Sequence, residues 1–163
     1  MRRILLAAIL TSALPGAAPA QSLAQQWAWC HDDDSDRLIR GCTAVIRSGR
    51  ESPDNLSRAF FNRGRAWADK GEFDRAIQDF NEAIRLDPNY ADAFNNRGVA
   101  YSGKGDSNRA IADFDRAIQL DPNYAIAIFN RGLALQNLGR SADAEQDFAR
   151  AKHVGPRLLP PKE

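Results

Sequence analysis

The densest group of residues with types that could do chemistry is one acidic run. Residues 31–36 read His-Asp-Asp-Asp-Ser-Asp, and the aspartates alternate as they do at the opening of a calcium-binding loop. Such a loop requires a glycine next and a glutamate at its twelfth position, whereas this chain has Arg37 and Thr43 there. The run therefore favours a solvated turn or helix start over a metal site.

Nucleophilic and acid–base residues do not form a recognisable catalytic pattern. His31 and His153 stand near opposite ends of the chain, and no Ser/His/Asp, Cys/His or metal-ligand spacing is visible. Trp27 and Trp29 are more typical of a core or a groove wall than of a cofactor contact. The sequence predicts no catalytic residue, no metal and no cofactor, and it argues against an enzyme.

The first twenty residues have the order of a secretory signal peptide. Arg2 and Arg3 precede an apolar run of eleven residues, Ile4–Leu14, and a small-x-small pattern follows at Ala18–Ala20. A membrane-spanning helix needs roughly 20 residues, so the pattern favours cleavage over a membrane anchor. We expect residues 1–20 to be removed, a mature protein that begins at Gln21 without stable membrane insertion, and a periplasmic or secreted location.

The net charge limits the classes of partner to be expected, and the cysteines indicate the redox compartment. Of 22 basic side chains, Arg2 and Arg3 would leave with the signal peptide, so 20 basic face 21 acidic side chains. Without a basic excess, nucleic acid is not an expected partner. Two cysteines, Cys30 and Cys42, in an exported chain predict a disulfide, the alternative being two free buried thiols.

A fixed interval of 34 residues organises the rest of the chain and must position whatever site exists. Residues 57–90 and 91–124 are identical at 20 of 34 positions, and residues 125–158 continue the pattern. The recurring residues are Gly64, Gly98 and Gly132; Ala76, Ala110 and Ala144; Phe80, Phe114 and Phe148; Ala83, Ala117 and Ala151; and Pro88, Pro122 and Pro156. Such a period predicts stacked pairs of helices.

Each segment predicts two helices joined by a glycine turn. Apolar residues stand four before and three after the first glycine, on one face of a first helix. The turn follows at Gly71, Gly105 or Gly139, and a second helix carries an apolar stripe at spacings of three and four. We expect each mid-helix glycine to pack on the alanine twelve residues later. We also expect Asp87 and Asp121 to cap the helices that follow them.

These residues closely resemble the tetratricopeptide repeat (TPR) family over residues 57–158. Eight signature positions recur in register three times with only aliphatic replacements. The resemblance implies an all-α, right-handed superhelix of stacked antiparallel helical hairpins, with units at 57–90, 91–124 and 125–158. It further implies a concave groove that binds peptides or protein segments rather than an active site.

Residues 21–56 are expected to form a degenerate unit in front of the three repeats. Counting back 34 residues from Gly64 and Ala76 arrives at Cys30 and Cys42, where the two helices of a hairpin approach most closely. A disulfide would therefore staple this hairpin. Gln26, among other departures from the pattern, indicates a short or displaced first helix.

Two further patterns concern the frame of the array. An arginine precedes each mid-helix glycine and an aspartate follows sixteen residues later, which predicts an Arg–Asp pair between the helices of each unit. The pairs are Arg63–Asp79, Arg97–Asp113 and Arg131–Asp147. In the third unit Glu145 and Lys152 replace isoleucines that would pack on a following hairpin, so we expect a terminal unit. Residues 159–163 are expected to be a tail.

The candidate groove residues lie on the first helices, opposite the packed face. They are Phe61, Asn62 and Arg65; Asn95, Asn96 and Val99; and Phe129, Asn130 and Leu133. Apolar members would form pockets, and the asparagines Asn62, Asn96 and Asn130 either bind the main chain of a ligand or pair with neighbouring helices. The members of one family subclass hold a C-terminal carboxylate with two lysines, two asparagines and an arginine. Only Asn96 matches that set here, which argues against this kind of ligand.

The sequence favours a monomeric protein–protein interaction module of the cell envelope that binds a peptide or protein segment in the groove. The alternative is a structural subunit of an envelope assembly that docks through the N-terminal hairpin, residues 27–36.

Overall fold

The computed structural model describes residues 22–155, and the expected signal peptide and the tail lie outside them. Over this range the chain forms eight α-helices and no strands. The helices are α1 (Leu23–Trp29), α2 (Ser35–Ser48), α3 (Pro53–Asp69), α4 (Phe73–Leu86), α5 (Ala91–Gly103), α6 (Ser107–Leu120), α7 (Ala125–Asn137) and α8 (Ser141–Val154). Each helix packs on the next, and α3, α5 and α7 also contact one another in order. The fold is therefore an all-α TPR solenoid, as the sequence predicts.

The turns follow the glycine pattern. Gly71, Gly105 and Gly139 have φ of 75°, 80° and 75° and connect the helices of successive hairpins. This left-handed backbone conformation favours glycine, which lacks a Cβ. The first helix of the first full repeat, α3, begins at Pro53, where Ser52 accepts a hydrogen bond from the Asn55 N–H. It therefore starts one turn before the repeat boundary.

The mid-helix glycines make room for a phenylalanine rather than for an alanine. A Cβ on Gly64 or Gly98 would come within 2.8 or 2.7 Å of the Phe80 or Phe114 ring. At Gly132 the nearest atom is again a ring atom, of Phe148, at 2.6 Å, although the Ala144 carbonyl oxygen is also close. The expected glycine–alanine contact is thus wrong in its main partner. The recurring phenylalanine of the second helix lies directly on the first helix.

The segments between repeats also differ from expectation. Asp87 Oδ1 accepts a hydrogen bond from the Asn89 N–H, and Asp121 Oδ1 accepts one from the Asn123 N–H. Helices α5 and α7 begin later, at positions 91 and 125, without a side-chain cap. The two aspartates therefore close a local turn, and the prediction that they cap the following helix is wrong.

The Arg–Asp pairs predicted from the sequence are present in all three repeats. Arg97 donates through Nε and Nη2 to the two oxygens of Asp113, at 2.8 and 2.6 Å, and the equivalent bidentate pairs join Arg63 to Asp79 and Arg131 to Asp147. The hydrogen bonds that Arg97 donates to the Asp113 carboxylate raise the pKa of Arg97. The three aspartates are each 5% exposed, so these are largely buried pairs.

The same arginines also join each hairpin to the one before it. The remaining Nη1 of Arg97 donates to Asn81 on α4, and that of Arg131 donates to Asp115 on α6. In the first repeat Arg63 reaches Thr43 on α2. One side chain per repeat therefore sets both the helix pair and its stacking on the preceding pair.

The N-terminal hairpin is short and held by a disulfide. Cys30 directly follows α1, Cys42 lies within α2, and their Cα atoms are 4.5 Å apart in a bridge that is completely buried. Beside it, a Cβ on Gly41 would come within 2.5 Å of the Trp29 Cβ and 2.6 Å of the Cys30 backbone nitrogen. The bridge and the glycine together allow α1 and α2 to cross at very short distance.

Candidate functional site

Three first helices lie side by side and place equivalent residues in rows. Helix α3 contacts α5, and α5 contacts α7, so residues 34 apart on these helices face the same surface. We call this surface the groove. Its rows are Arg58, Asp92 and Ile126; Phe61, Asn95 and Phe129; Asn62, Asn96 and Asn130; and Arg65, Val99 and Leu133.

The row of Arg65, Val99 and Leu133 is the exposed ridge of the groove. Val99 is 40% exposed and Leu133 is 41% exposed, and Ile126 beside them is 39% exposed. Arg65, at the other end, lies 6.0 Å from the centroid of the Phe61 ring. The groove is therefore charged over α3 and apolar over α5 and α7.

The row of Phe61, Asn95 and Phe129 forms the floor. Phe61 is 8% exposed and packs on Tyr90 with 4.8 Å between the ring centroids, while Phe129 packs on Phe148 at 5.3 Å. Asn95 is 5% exposed. The structure thus covers Phe61 and Asn95 with the chain's own residues, and the open apolar surface comes from the neighbouring row.

The three asparagines use their amide N–H groups within the chain. Asn62 donates to the Cys30 carbonyl at 3.1 Å, Asn96 to the Asp92 carbonyl of its own helix at 2.8 Å, and Asn130 to Asn95 Oδ1 at 3.1 Å. Asn62 therefore ties the groove to the disulfide hairpin. Asn130 ties the third repeat to the second.

Two adjoining clefts open where the N-terminal hairpin meets α3. The larger, of about 520 Å³, is lined by His31, Asp54, Ser57, Arg58, Asn62, Asp87 and Tyr90. The smaller, of about 360 Å³, is lined by residues that include His31, Asp33, Asn62 and Arg65. His31 and Asn62 belong to both, so the hairpin and the groove form one continuous surface.

Arg58 and Arg65 are two guanidinium groups of this surface without an ion-pair partner, and they lie there beside the carboxylates of Asp54 and Asp87. Across residues 22–155 neither guanidinium has a carboxylate within salt-bridge distance. Asp54 lies in the first turn of α3, and Asp87 accepts from its own turn. Because Arg58 and Arg65 are spaced i and i+7, they present hydrogen-bond donors along one stripe of α3. Such a stripe suits a carboxylate or carbonyl ligand group.

Tyr90 lines the larger cleft and packs on Phe61 of the groove floor. Burial, with a smaller contribution from the Asp92 carboxylate, raises the pKa of Tyr90 to about 12. The phenol therefore stays neutral at physiological pH and can donate a hydrogen bond. Sequence reasoning missed Tyr90, Arg58 and Ile126 as groove residues, although the 34-residue rows contain them.

The acidic run forms the start of α2, as expected. Asp34 accepts a hydrogen bond from the Arg37 N–H and caps the helix, and Asp32 accepts one from the Asp34 N–H. Within the described part of the chain no group of three metal-ligating side chains is present. Trp27 donates from Nε1 to Glu51, and its carbonyl contacts His31 Nδ1 at 2.9 Å. These contacts hold His31 at the cleft.

None of the described helices is long and apolar enough to cross a membrane.

Comparison with protein families assigns the repeats. A model described as "TPR repeat" matches residues 64–105, and two models described as "Tetratricopeptide repeat" match residues 91–124 and 114–146. Residues 64–146 therefore consist of tetratricopeptide repeats, and these models describe an interaction repeat rather than a catalytic family. Comparison with curated proteins gave no match.

Solved structures share the architecture. The crystal structure of MamA is 22% identical, covers 83% of this chain and 77% of its own, and has a TM-score of 0.72. The Arabidopsis OM64 TPR domain is 25% identical, covers 65% and 88%, and has a TM-score of 0.64. The second TPR of Spaghetti (RPAP3), bound to the HSP90 peptide SRMEEVD, is 31% identical, covers 60% and 91%, and has a TM-score of 0.59.

Proposed function

We propose that this protein is an interaction module of the cell envelope that binds an extended segment of a partner protein in the groove. The observation that carries the proposal is the exposed ridge, in which unpaired Arg65 continues into the open apolar side chains Val99 and Leu133. Exposed apolar surface of this kind is typical of an interaction site when it is contiguous.

The polarity of the groove defines the chemistry of the segment. Acidic side chains would lie over α3, within reach of Arg58 and Arg65, and apolar side chains would lie over α5 and α7. The peptide in the RPAP3 complex combines acidic and apolar residues, which supports the idea that this fold accommodates such a segment. The asparagines would contribute their free carbonyl oxygens and would keep the helices in register.

Location in the envelope is supported by two features. The signal-like residues 1–20 predict export, and the buried disulfide between Cys30 and Cys42 fits an oxidising compartment. We propose a periplasmic or secreted monomer.

A second hypothesis is docking through the hairpin in a larger assembly. It is favoured by one observation, namely that His31 and Asp33 line a cleft together with Asn62 and Arg65. A partner could therefore hold the hairpin and leave the apolar ridge free.

Charged substitutions on the ridge separate the two hypotheses. Val99→Asp with Leu133→Asp should weaken binding of partner by about 2 kcal/mol, or roughly 30-fold, because apolar contact is lost and carboxylates face an acidic segment. Both side chains are exposed, so the free energy of unfolding should change by less than about 1 kcal/mol. Calorimetric titration of the purified partner would measure the first effect and urea unfolding the second.

Leu138→Asp is the matched control, since Leu138 is equally exposed, at 41%, but lies after α7 and outside the groove rows. Normal binding by the ridge variant, combined with loss of binding in Trp27→Ala, would favour hairpin docking instead.

A further inference from the structure

The last residues of the first and second repeats are both tyrosines, Tyr90 and Tyr124, and their hydroxyl groups differ in their partners. The Tyr124 hydroxyl donates a hydrogen bond to the carboxylate of Asp92, on the first helix of the same repeat. In the first repeat the residue equivalent to Asp92 is Arg58. A guanidinium cannot accept a hydrogen bond. The carboxylate that binds the tyrosine hydroxyl in the second repeat is therefore replaced by a cation in the first.

The Tyr90 hydroxyl and the Arg58 guanidinium belong to one cleft, the larger of the two beside the disulfide hairpin. Both residues line it. Burial and the Asp92 carboxylate raise the pKa of Tyr90, and the nearby Arg58 guanidinium opposes this rise. Among residues 22–155 neither the hydroxyl nor the guanidinium has a hydrogen-bond acceptor. The cleft therefore contains two hydrogen-bond donors, one of them charged, that the described chain leaves unused.

Two carboxylates, Asp54 and Asp87, line the same cleft but do not pair with Arg58. Asp54 lies in the first turn of α3, where the helix dipole stabilises a negative charge. Asp87 accepts a hydrogen bond from the backbone N–H of Asn89. Both carboxylates thus have a stabilising environment of their own, and neither occupies the two donors.

The second repeat shows that a carboxylate binds such a tyrosine even beside the aspartate of the turn. Burial and the hydrogen bond to Asp92 raise the pKa of Tyr124, and the nearby Asp121 carboxylate adds to the rise. Asp121 is the equivalent of Asp87, and no arginine replaces Asp92 there to offset its charge. The first repeat offers a more favourable place for a carboxylate, because Arg58 supplies a positive charge.

We propose that Arg58 and the Tyr90 hydroxyl together bind the side-chain carboxylate of an aspartate or glutamate in the partner segment. The carboxylate would accept a hydrogen bond from each donor, as the Asp92 carboxylate accepts one from Tyr124. This inference rests on the proposed function, since it names the residues that select an acidic side chain at the α3 end of the groove.

The amide of N-acetyl-aspartate is a direct probe, because it carries the required carboxylate and few other groups. In an NMR titration of the mature protein at neutral pH and low salt, we expect saturable shifts of the Tyr90 ring and the Arg58 Nε–H. The Tyr124 ring should not shift and is the internal reference. The amide of N-acetyl-asparagine should bind about tenfold more weakly. Equal binding of the two probes, or a Tyr90 ring that does not respond, would overturn the proposal.

Single substitutions separate the two donors from their surroundings. Arg58→Gln should weaken binding of the aspartate probe about tenfold and Tyr90→Phe about threefold, because each removes one donor. Tyr124→Phe is the matched control and should bind like the parent, since its hydroxyl is already bonded to Asp92. Asp54→Asn should tighten binding about threefold, because it removes a neighbouring negative charge. Donor variants that bind as tightly as the control would refute the site.

The arrangement of the first repeat can also be copied into the second. Asp92 is exposed, so Asp92→Arg should fold, and it should bind a second probe molecule with a shift of the Tyr124 ring. Asp92→Asn frees the hydroxyl without adding a cation and should bind only one. A single bound probe in the folded Asp92→Arg protein would contradict the proposed pairing of donors.

Failure of this inference is distinguishable from failure of the proposed function. The ridge variant, Val99→Asp with Leu133→Asp, should bind the aspartate probe within about twofold of the parent, because these residues lie in another row of the groove. Partner binding that is weakened by the ridge variant but not by Arg58→Gln would overturn the carboxylate site alone. Probe binding at Tyr90, with a partner that the ridge variant still binds, would support the carboxylate site and count against the groove.

Discussion

At the scale of single residues, Arg97 and its equivalents Arg63 and Arg131 hold the helices of each repeat in place. Each makes a bidentate pair within its repeat and one further bond to the preceding hairpin. Asn96, the adjacent residue, bonds only to a carbonyl of its own helix. These two neighbouring polar residues therefore have different roles, and the difference in their contribution to stability can be measured.

Arg97→Ala should destabilise the protein by about 3 kcal/mol, because Asp113 would remain buried without its partner. Asn96→Ala should change the free energy of unfolding by less than about 0.5 kcal/mol. Urea unfolding followed by circular dichroism measures both. Arg97→Lys, which keeps the charge but not the two-pronged geometry, should fall between them. An Arg97→Ala protein as stable as Asn96→Ala would show that the pair contributes nothing.

Residue spacing predicted the Arg–Asp pairs but not the contact of the mid-helix glycines. An arginine and an aspartate sixteen residues apart lie on the two facing helices of one hairpin, so the hairpin alone brings them together. The glycine contact depends on the direction in which the facing side chain leaves its helix. A Cβ on Gly64 would therefore meet the ring of Phe80, the residue one helical turn after Ala76.

The N-terminal hairpin is the element whose stability depends most on one covalent bond. Helix α1 has seven residues, none of them buried, so it contributes little apolar surface of its own. The hairpin nevertheless supplies His31 to both clefts and the Cys30 carbonyl to Asn62. Loss of the bridge should therefore affect the cleft as well as the hairpin.

We predict that Cys30→Ser with Cys42→Ser lowers the stability of the hairpin by about 3 kcal/mol, while α3 to α8 remain folded. Hydrogen exchange of the α1 and α2 amides, compared with those of α5, measures this difference. Gly41→Ala is a second test, because its Cβ would clash with the backbone nitrogen of Cys30.

The intact mass of exported protein should correspond to a chain that begins at Gln21 and has lost two hydrogens. Free thiols on native protein would contradict the pairing.

Helix α8 ends the described array with a polar outer face. Ile84 and Ile118 pack against the next repeat, whereas Lys152, at the equivalent position, is exposed, as is Glu145. Glu145→Ile with Lys152→Ile should restore an apolar face and promote self-association. Sedimentation velocity at increasing concentration measures this. A double variant that sediments like the parent would show that these two residues do not limit stacking.

The existence and order of the helices followed from the repeat, whereas local turns decide where the first helices begin. The turn glycines and apolar stripes predicted that a second helix follows each glycine turn. Asp87 and Asp121 instead close turns with backbone groups two residues later, so the first helices start after them. Side-chain capping and a local turn use the same residue types, and sequence alone does not choose between them.

At the scale of the whole molecule, the groove has two chemically different halves. Unpaired arginines and His31 lie at the end next to the disulfide hairpin, and exposed valine, isoleucine and leucine side chains lie at the other end. The register of the repeats predicted Arg65, Val99 and Leu133 at this surface, whereas sequence reasoning missed Arg58 and Ile126. It did not show that Phe61 and Asn95 are buried, because their cover comes from Tyr90 and Asn130 on other elements.

Site-specific photocrosslinking in the exporting cell tests the groove most directly. Benzoylphenylalanine would replace Val99 or Leu133 on the ridge, Asp33 on the hairpin, or Gln119, an exposed residue of the second helix α6, as the control. The proposed function predicts adducts from Val99 and Leu133 to neighbouring residues of one partner segment, and none from Gln119. Adducts formed equally from Gln119, or confined to Asp33, would contradict binding in the groove.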